Sequence, residues 1–304
     1  MGQLEDMNMF IRVVDAGGIS RAAEQLGLAK SAVSRRLVDL ESRLGVRLIN
    51  RTTRTSSLTE IGRTYYERAI KVVDDVSELN AITADSSTSL QGTINIAAPL
   101  SFGLSHLSSA IDSFVKQHPE LTINIDFSDR QVDLVEEGLD LAFRIAELKD
   151  SSLIARKISP IKIILCASPD YLKEHGTPET PDDLKNHKLL HYNISGTSTW
   201  KLSDEKGKQY SINVTAKIIA NNGNFLRDMA IAGHGIVSSP TFISWKAIAT
   251  GDLVTVLSDY KLPQLNAYAV YPQTRYLSQR TRMLIDFLVE RFGDNPYWDQ
   301  HISI

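Results

Sequence analysis

Four side chains within residues 30–35, namely Lys30, Ser31, Ser34 and Arg35, have the chemistry needed to grip a nucleic acid. An arginine presents two parallel N–H donors that match the O6 and N7 acceptors of guanine. A lysine brings a positive charge to phosphate, and serine hydroxyls donate or accept at short range. Further on, Arg51 and Arg54 lie in a short polar run, 50–55, of the kind that tips a hairpin. Residues 30–54 include seven basic and two acidic side chains, a local charge of +5 in a chain of net charge −3, so the remainder carries −8. A positive stretch on an acidic protein is an electrostatic footprint for phosphate. A solvated amphipathic helix pair has the same pattern, and charge and spacing leave both readings open.

The elements that would position these groups are legible around them. Val33, Leu37, Leu40 and Leu44 follow one another by 4, 3 and 4, an apolar stripe at the helical period that predicts a helix over 30–44. Ser31, Ser34, Arg35 and Val38 lie off that stripe, and Gly45 ends it. Ala22, Ala23 and Leu26 predict a shorter helix over 20–26, stopped by Gly27, which tolerates the positive φ of a helix end. Two helices joined by a short turn form a helix-turn-helix, whose second helix enters the major groove. A preceding helix over 6–15 offers Met9, Phe10, Val13 and Val14 as a packing face. Strands over 46–49 and 56–58 would make a wing, with Arg51 and Arg54 directed at phosphate or the minor groove. The alternative for the wing is an ordinary basic hairpin.

This segment resembles the winged helix-turn-helix of LysR-type transcriptional regulators. The resemblance is carried by Phe10, Ala22, Ala23, Leu26, Ser31, Val33, Ser34, Leu40, Glu41, Leu44, Gly45, Leu48, Arg51, Leu58, Thr59 and Gly62. Ile49 stands where the family often has Phe, a swap that keeps the position apolar.

Thr59 suits the N-cap of a helix extending to about residue 84. Tyr65, Ala69, Val72, Val76 and Leu79 are spaced as a coiled-coil seam within a wider apolar set that includes Ile61 and Ile82. A helix of that length spans ~39 Å, more surface than a small domain can cover, and reads as a dimerisation helix. The alternative is packing against its own chain. The polar, serine-rich run 85–92 reads as a hinge.

From Thr93 onward strands and helices alternate: strand 94–97, helix 100–117 opened by Ser101, strand 121–127, helix 132–137 ended by Gly138, strand 139–145. This order predicts a parallel sheet with helices on its faces and a ligand site beyond the carboxyl ends of the strands. Ser101 at a helix start and Arg144 near a strand end would together suit a small anion. A plain N-cap and a structural ion pair explain the same two residues. A strand over 161–167 crosses into a second subdomain. A helix beginning after 221–224 and running through Ile231, a helix over 242–249, a strand over 265–271 and a closing helix over 278–292 complete two α/β lobes.

The resemblance implies an α/β fold class with an α-dominated winged head, a long linker helix and a two-lobed effector domain like periplasmic binding proteins. The corresponding domains are 1–58, 59–88 and 89–304, with lobe I over 92–163 and 267–304 and lobe II over 164–266. It also implies an effector cleft lined by Ser101, Ser128, Arg144, Thr199, Trp200 and Asn222, with buried core as the competing role of Trp200. It implies dimers or tetramers, binding to an interrupted palindrome in double-stranded DNA, and contact with RNA polymerase. A DNA-binding head on an α/β platform without ligand, and an enzyme or transport lobe with a fused helical head, are the other readings.

Composition narrows the choice. The chain has 304 residues, 42% of them hydrophobic, enough for two or three units. Its one cysteine, Cys166, sits in an apolar run and reads as a buried strand residue in a reducing compartment. No basic and apolar leader and no span of ~20 apolar residues is seen, so a cytoplasmic protein without membrane contact is expected. His187 and His191 lack a third metal-ligating neighbour, and the glycines of 233–235 lack the third of a nucleotide loop. No catalytic set and no cofactor beyond a small-molecule effector is expected.

Overall fold

The computed structural model describes residues 2–51, 56–83, 90–130, 132–147, 153–192, 199–272, 277–300 and 302. The chain divides into two units, Met1–Gly92 and Thr93–Ile304.

In the first unit, α1 (Gln3–Asp15), α2 (Ile19–Leu26) and α3 (Lys30–Leu44) precede a hairpin of β1 (Ile49–Arg51) and β2 (Ser56–Leu58), then α4 (Glu60–Thr83). Gly27 and Gly45 close α2 and α3 in the left-handed conformation, at φ 62° and 70°. The stripe turns inward as its period requires. Val33, Leu37 and Leu40 are fully buried against Phe10, Val13, Ala22 and Leu48 in one core.

The wing's first strand begins three residues later than the expected Val46. Two side chains satisfy the backbone at this point. A Glu41 carboxylate oxygen accepts the Leu48 and Ile49 N–H groups at 2.8 and 3.1 Å. The Thr59 hydroxyl donates to the Arg47 carbonyl at 2.8 Å, and the Thr59 N–H to that of Leu48 at 3.0 Å. The same Thr59 oxygen accepts the Gly62 N–H at 2.8 Å, an N-cap bond for α4. The Thr59 N–H bond to Leu48 carries the hairpin register one pair past Ile49 and Leu58, but α4 begins at Glu60, so residues 46 and 47 have no strand to pair with, and the Val46 N–H instead closes α3 on the Glu41 carbonyl at 3.2 Å.

The second unit has two five-stranded sheets. The first, ordered β4-β3-β5-β14-β6, is built from β3 (Gly92–Ala98), β4 (Leu121–Phe127), β5 (Leu141–Ala146), β6 (Leu153–Ile161) and the late strand β14 (Leu265–Pro272). The second, ordered β11-β8-β12-β7-β13, contains β7 (Ile163–Ala167), β8 (Leu189–Tyr192), β11 (Ala216–Ala220), β12 (Ile236–Pro240) and β13 (Val254–Val256). A separate hairpin pairs β9 (Thr199–Ser203) with β10 (Gln209–Asn213). Strands β3 and β5 are parallel, whereas β14 runs antiparallel to β5 and β6. Both sheets are therefore mixed, since β12 is parallel to β8 but antiparallel to β7. The chain passes between sheets at Lys162 and again between β13 and β14.

The helix after β3 has three parts: α5 (Leu100–Phe102), a π turn (Gly103–Leu107) and α6 (Ser108–Gln117). A Cβ on Gly103 would lie 2.2 Å from the Phe127 ring, so glycine lets that ring lie against the wide turn. The helix expected over 132–137 is instead a series of turns. One Asp133 carboxylate oxygen accepts the Val135 and Glu136 N–H groups, and Glu137 accepts that of Asp133. Short acidic side chains that capture nearby amides compete with helix formation. The remaining helices are α7 (Pro169–His175), α8 (Gly223–Ile231), α9 (Thr241–Thr250) and α10 (Gln279–Phe292), with 3₁₀ turns at Pro181–Asn186 and Tyr297–Asp299.

Cys166 is fully buried in β7, and burial pushes its thiol pKa up to about 12, against the opposing pull of a hydrogen bond with Ser244. Such a thiol is not a reactive nucleophile. Of the glycines in 233–235, Gly235 has a packing role: a Cβ there would lie 2.2 Å from the Lys188 carbonyl oxygen. His191 lies in β8, while the His187 ring meets the Tyr171 hydroxyl at 3.2 Å. Among the described residues no group of three His, Cys, Asp or Glu side chains is placed to hold a metal.

Candidate nucleic-acid interface and effector cleft

Helix α3 carries its polar groups on the face away from the core. Lys30, Ser31 and Arg35 are exposed and Ser34 is half-buried, in the first six residues of the helix. Its N-cap is Ala29, which makes no side-chain cap bond, and no acidic residue stands in the first turn. The first-turn amides and the positive end of the helix dipole thus meet no side-chain acceptor of the cap or of that turn. This is the arrangement by which a helix start takes a phosphate oxygen. Of the two wing arginines, Arg54 lies outside the described residues, and Arg51 is described in its backbone only, opposite Ser56 in the hairpin.

The platform beneath α3 is fixed by specific contacts. The Arg43 guanidinium pairs with Asp6 at 3.0 Å, tying the end of α3 to α1. Tyr65 and Tyr66 of α4 meet Phe10 edge-on at 5.6 and 6.4 Å between ring centroids. The Tyr66 hydroxyl donates to Asp15, and burial together with that carboxylate pushes its pKa up to about 12. Helix α4 is accordingly divided in its surroundings. Tyr65 packs against the head core and Ala69 is buried, whereas Ile61 and Val72 are 54% and 43% exposed and Leu79 is 61% exposed. The side chain of Ile82 and the hinge residues 84–89 lie outside the described residues.

In the second unit the residues expected around a ligand are distributed as follows. Ser101 is buried in the first turn of α5, one residue past its start, so the N-cap position belongs to Pro99. The Leu100 N–H at that start donates to a carboxylate oxygen of Asp129 at 3.3 Å. Ser128 holds the turn after β4, accepting the Arg130 N–H on its hydroxyl and donating its own N–H to the Ala98 carbonyl at 3.0 Å. Arg144 lies inside β5, where one guanidinium nitrogen donates to the Val132 carbonyl at 3.1 Å. Asn222 caps α8 by accepting the Phe225 N–H at 3.0 Å. Thr199 opens β9, donating to Asn213 at 3.3 Å. Trp200 is 7% exposed within an apolar cluster with Tyr171, Leu184, Leu202 and Ile212, the surroundings of a core residue.

Two residues not singled out from the sequence stand at or just past strand ends, one in each sheet. Asp129 follows β4 in the first sheet and Tyr192 ends β8 in the second. Burial raises the Asp129 pKa, and burial followed by the Asp129 charge pushes the Tyr192 phenol up to about 12. The carboxyl ends of strands from both sheets therefore lie within electrostatic reach of each other, as a cleft between lobes requires. Asp129 could have been found from its place one residue beyond Ser128 at a strand end. Tyr192 carried no local signal.

Two family descriptions match the chain. Residues 4–63 fit the bacterial regulatory helix-turn-helix protein of the lysR family, and residues 87–293 fit the LysR substrate binding domain. The chain belongs to the LysR family of transcriptional regulators. It is 36% identical over 278 residues to an uncharacterized HTH-type transcriptional regulator of Haemophilus influenzae, covering 91% of this chain and 96% of that one. It is 34% identical over 293 residues to the transcriptional regulator CrgA of Neisseria meningitidis serogroup B, covering 96% and 97%. The solved structure of CrgA matches with a TM-score of 0.62 over 95% of this chain and 99% of that one. The full-length Vibrio cholerae virulence activator AphB, 28% identical, matches with a TM-score of 0.59 over 95% and 99%. This LysR-type regulator is thus a DNA-binding transcriptional regulator with an effector-binding domain. Among its described residues no helix is long and apolar enough to cross a membrane.

Proposed function

We propose that the LysR-type regulator binds an interrupted palindrome in double-stranded DNA through two copies of α3. In each copy Ser34 and Arg35 contact base edges and Lys30 and Ser31 hold phosphate. The single observation that carries this is the uncapped start of α3, with Lys30, Ser31 and Arg35 exposed there above a rigid core. Arg51 and Arg54 add wing contacts to phosphate or the minor groove. The domains act as a head over 1–58, a linker over 59–88 and an effector domain over 89–304, working in the cytoplasm with RNA polymerase as a further partner and without an enzymatic step.

Arg35→Ala tests the base contact. It is expected to cost ~1–3 kcal/mol at the cognate site and to relax base choice at one position, read by fluorescence anisotropy on a set of single-base operator variants. An unchanged preference at every position would remove Arg35 from base reading. The dimer seam is tested separately. The exposed apolar side chain of Val72 lies on the α4 stripe beyond the part covered by α1. Val72→Asp is expected to shift the sedimentation coefficient toward a smaller species and weaken operator binding, because a charge placed in an apolar seam is desolvated without a partner.

The small-molecule effector is proposed to bind between the two sheets, near Ser101, Ser128 and Asn222, with Asp129 and Tyr192 at the mouth. One Arg144 nitrogen is engaged by Val132 and the Leu100 N–H by Asp129, and the other guanidinium donors of Arg144 are proposed to meet an anionic effector. Closure of the lobes on the effector would alter the spacing of paired heads and hence the bend they impose on DNA.

A further inference from the structure

A cavity of about 330 Å³ lies beside both passages of the chain between the two sheets and shares no lining residue with the proposed cleft. Its wall includes Lys162, at the first passage, and Lys261, Leu262 and Gln264, at the second. The floor is apolar, formed by Leu165, Val256 and Leu257, with the Thr255 and Ser258 hydroxyls at its side. This volume lies at the small end of the ~300–1,000 Å³ found for small-molecule sites.

Three observations give the cavity a chemical preference. Lys261 is held in place by its backbone, which exchanges hydrogen bonds with Ser203 at 2.8 and 2.9 Å. Its ammonium has no carboxylate partner among the described residues, whereas Lys162 is paired with Asp299 at 3.6 Å. Leu257 has φ 54° and is the one non-glycine residue of positive φ among those described. A leucine in the left-handed region is strained by ~1–2 kcal/mol, and such strain gathers at ligand sites.

We propose that this cavity is a second ligand site, distinct from the cleft, for a small amphipathic monocarboxylate. Its hydrocarbon part lies over Leu165, Val256 and Leu262 and its carboxylate meets Lys261. Because the occupant touches both passages, it stiffens the joint about which the lobes would turn.

The probe is sodium octanoate, titrated calorimetrically into the full-length protein, with 1-octanol as the uncharged counterpart. The expected result is one saturable site per chain, with octanol at least tenfold weaker. Lys261→Gln should weaken octanoate at least fivefold. Ser258→Trp, at an exposed position on the rim, should abolish binding by filling the mouth, and Ser128→Ala in the cleft should leave it unchanged. No saturable heat up to about 10 mM octanoate overturns the proposal. Equal affinity in Lys261→Gln, or a loss caused by Ser128→Ala, overturns it as well. DNA retardation by the same samples is read independently, so a failed octanoate site leaves the DNA-binding reading standing.

Discussion

Replacing Gly62 by alanine is expected to lower the melting temperature of the DNA-binding unit by ~8–16 °C and to abolish operator binding at temperatures the native protein tolerates. An alanine Cβ at this position would lie 1.9 Å from the Leu48 carbonyl oxygen and 2.8 Å from its carbon. These are backbone atoms, and they cannot rotate aside. The Leu48 oxygen also accepts the Thr59 N–H at 3.0 Å, and Glu41 holds the Leu48 N–H at 2.8 Å, so the peptide is pinned on both sides. Forcing α4 off the start of the wing costs ~3 kcal/mol or more, against ~1 kcal/mol that alanine returns through helix propensity. The net loss of about 2 kcal/mol or more gives the quoted shift for a domain of 60–100 residues. Differential scanning calorimetry of the full chain checks it. An unchanged first transition would mean that α4 and the wing are not locked together.

The second large effect concerns acid. His106, in the π turn, is 1% exposed and enclosed by Phe102, Phe242, Tyr297 and Trp298. Its Nε2 donates to the Phe242 carbonyl at 3.0 Å, which leaves Nδ1 to accept from the Tyr297 hydroxyl at 2.5 Å. Burial holds the pKa down at about 4 from an ordinary 6.5, and the Lys246 charge pushes the same way, against the Phe242 hydrogen bond. The folded state therefore favours the neutral ring. Its contribution is intact above pH 6.5 and is lost as the pH falls from 6.5 through 4, because the unfolded chain takes up a proton first. Between pH 7 and 4.5 this amounts to ~2–3 kcal/mol. Urea unfolding of the native protein and of His106→Gln at both pH values isolates it, since the carboxylates common to both cancel. A difference that does not change with pH would contradict the neutral assignment, and the proton resonance of the ring supplies an independent titration.

The helical part of the head was legible because its signals are local. The 4-3-4 stripe and the stops at Gly27 and Gly45 lie within the elements they define, and the ends of α3 fall at Lys30 and Leu44 as expected. The wing's first strand starts late because the chain opposite residues 46 and 47 has already turned into α4 at Glu60, while the Val46 N–H closes α3 on the Glu41 carbonyl. The helix expected over 132–137 failed at Asp133, whose side chain captures two amides that a helix would need. The strand expected over 161–167 is two strands in different sheets, broken at Lys162, and β6 before it was not anticipated. Apolar continuity across Ile161 and Ile163 hides that change of sheet. The ligand residues were least legible. Whether Arg144 is open to a ligand depends on the position of the Val132 carbonyl, and whether Trp200 lines a cleft or a core depends on Tyr171 and Ile212. Neither relation leaves a mark in local sequence.

The proposed function rests on paired basic heads gripping a duplex. Its most direct test is the equilibrium binding of the full-length protein to DNA from upstream of its own gene, measured across a range of salt concentrations. With Lys30, Arg51 and Arg54 from each of two heads on phosphate, log Kobs should fall linearly with log salt at a slope near −5. Retention of the DNA by single subunits, or no salt-dependent binding at low ionic strength, would contradict it.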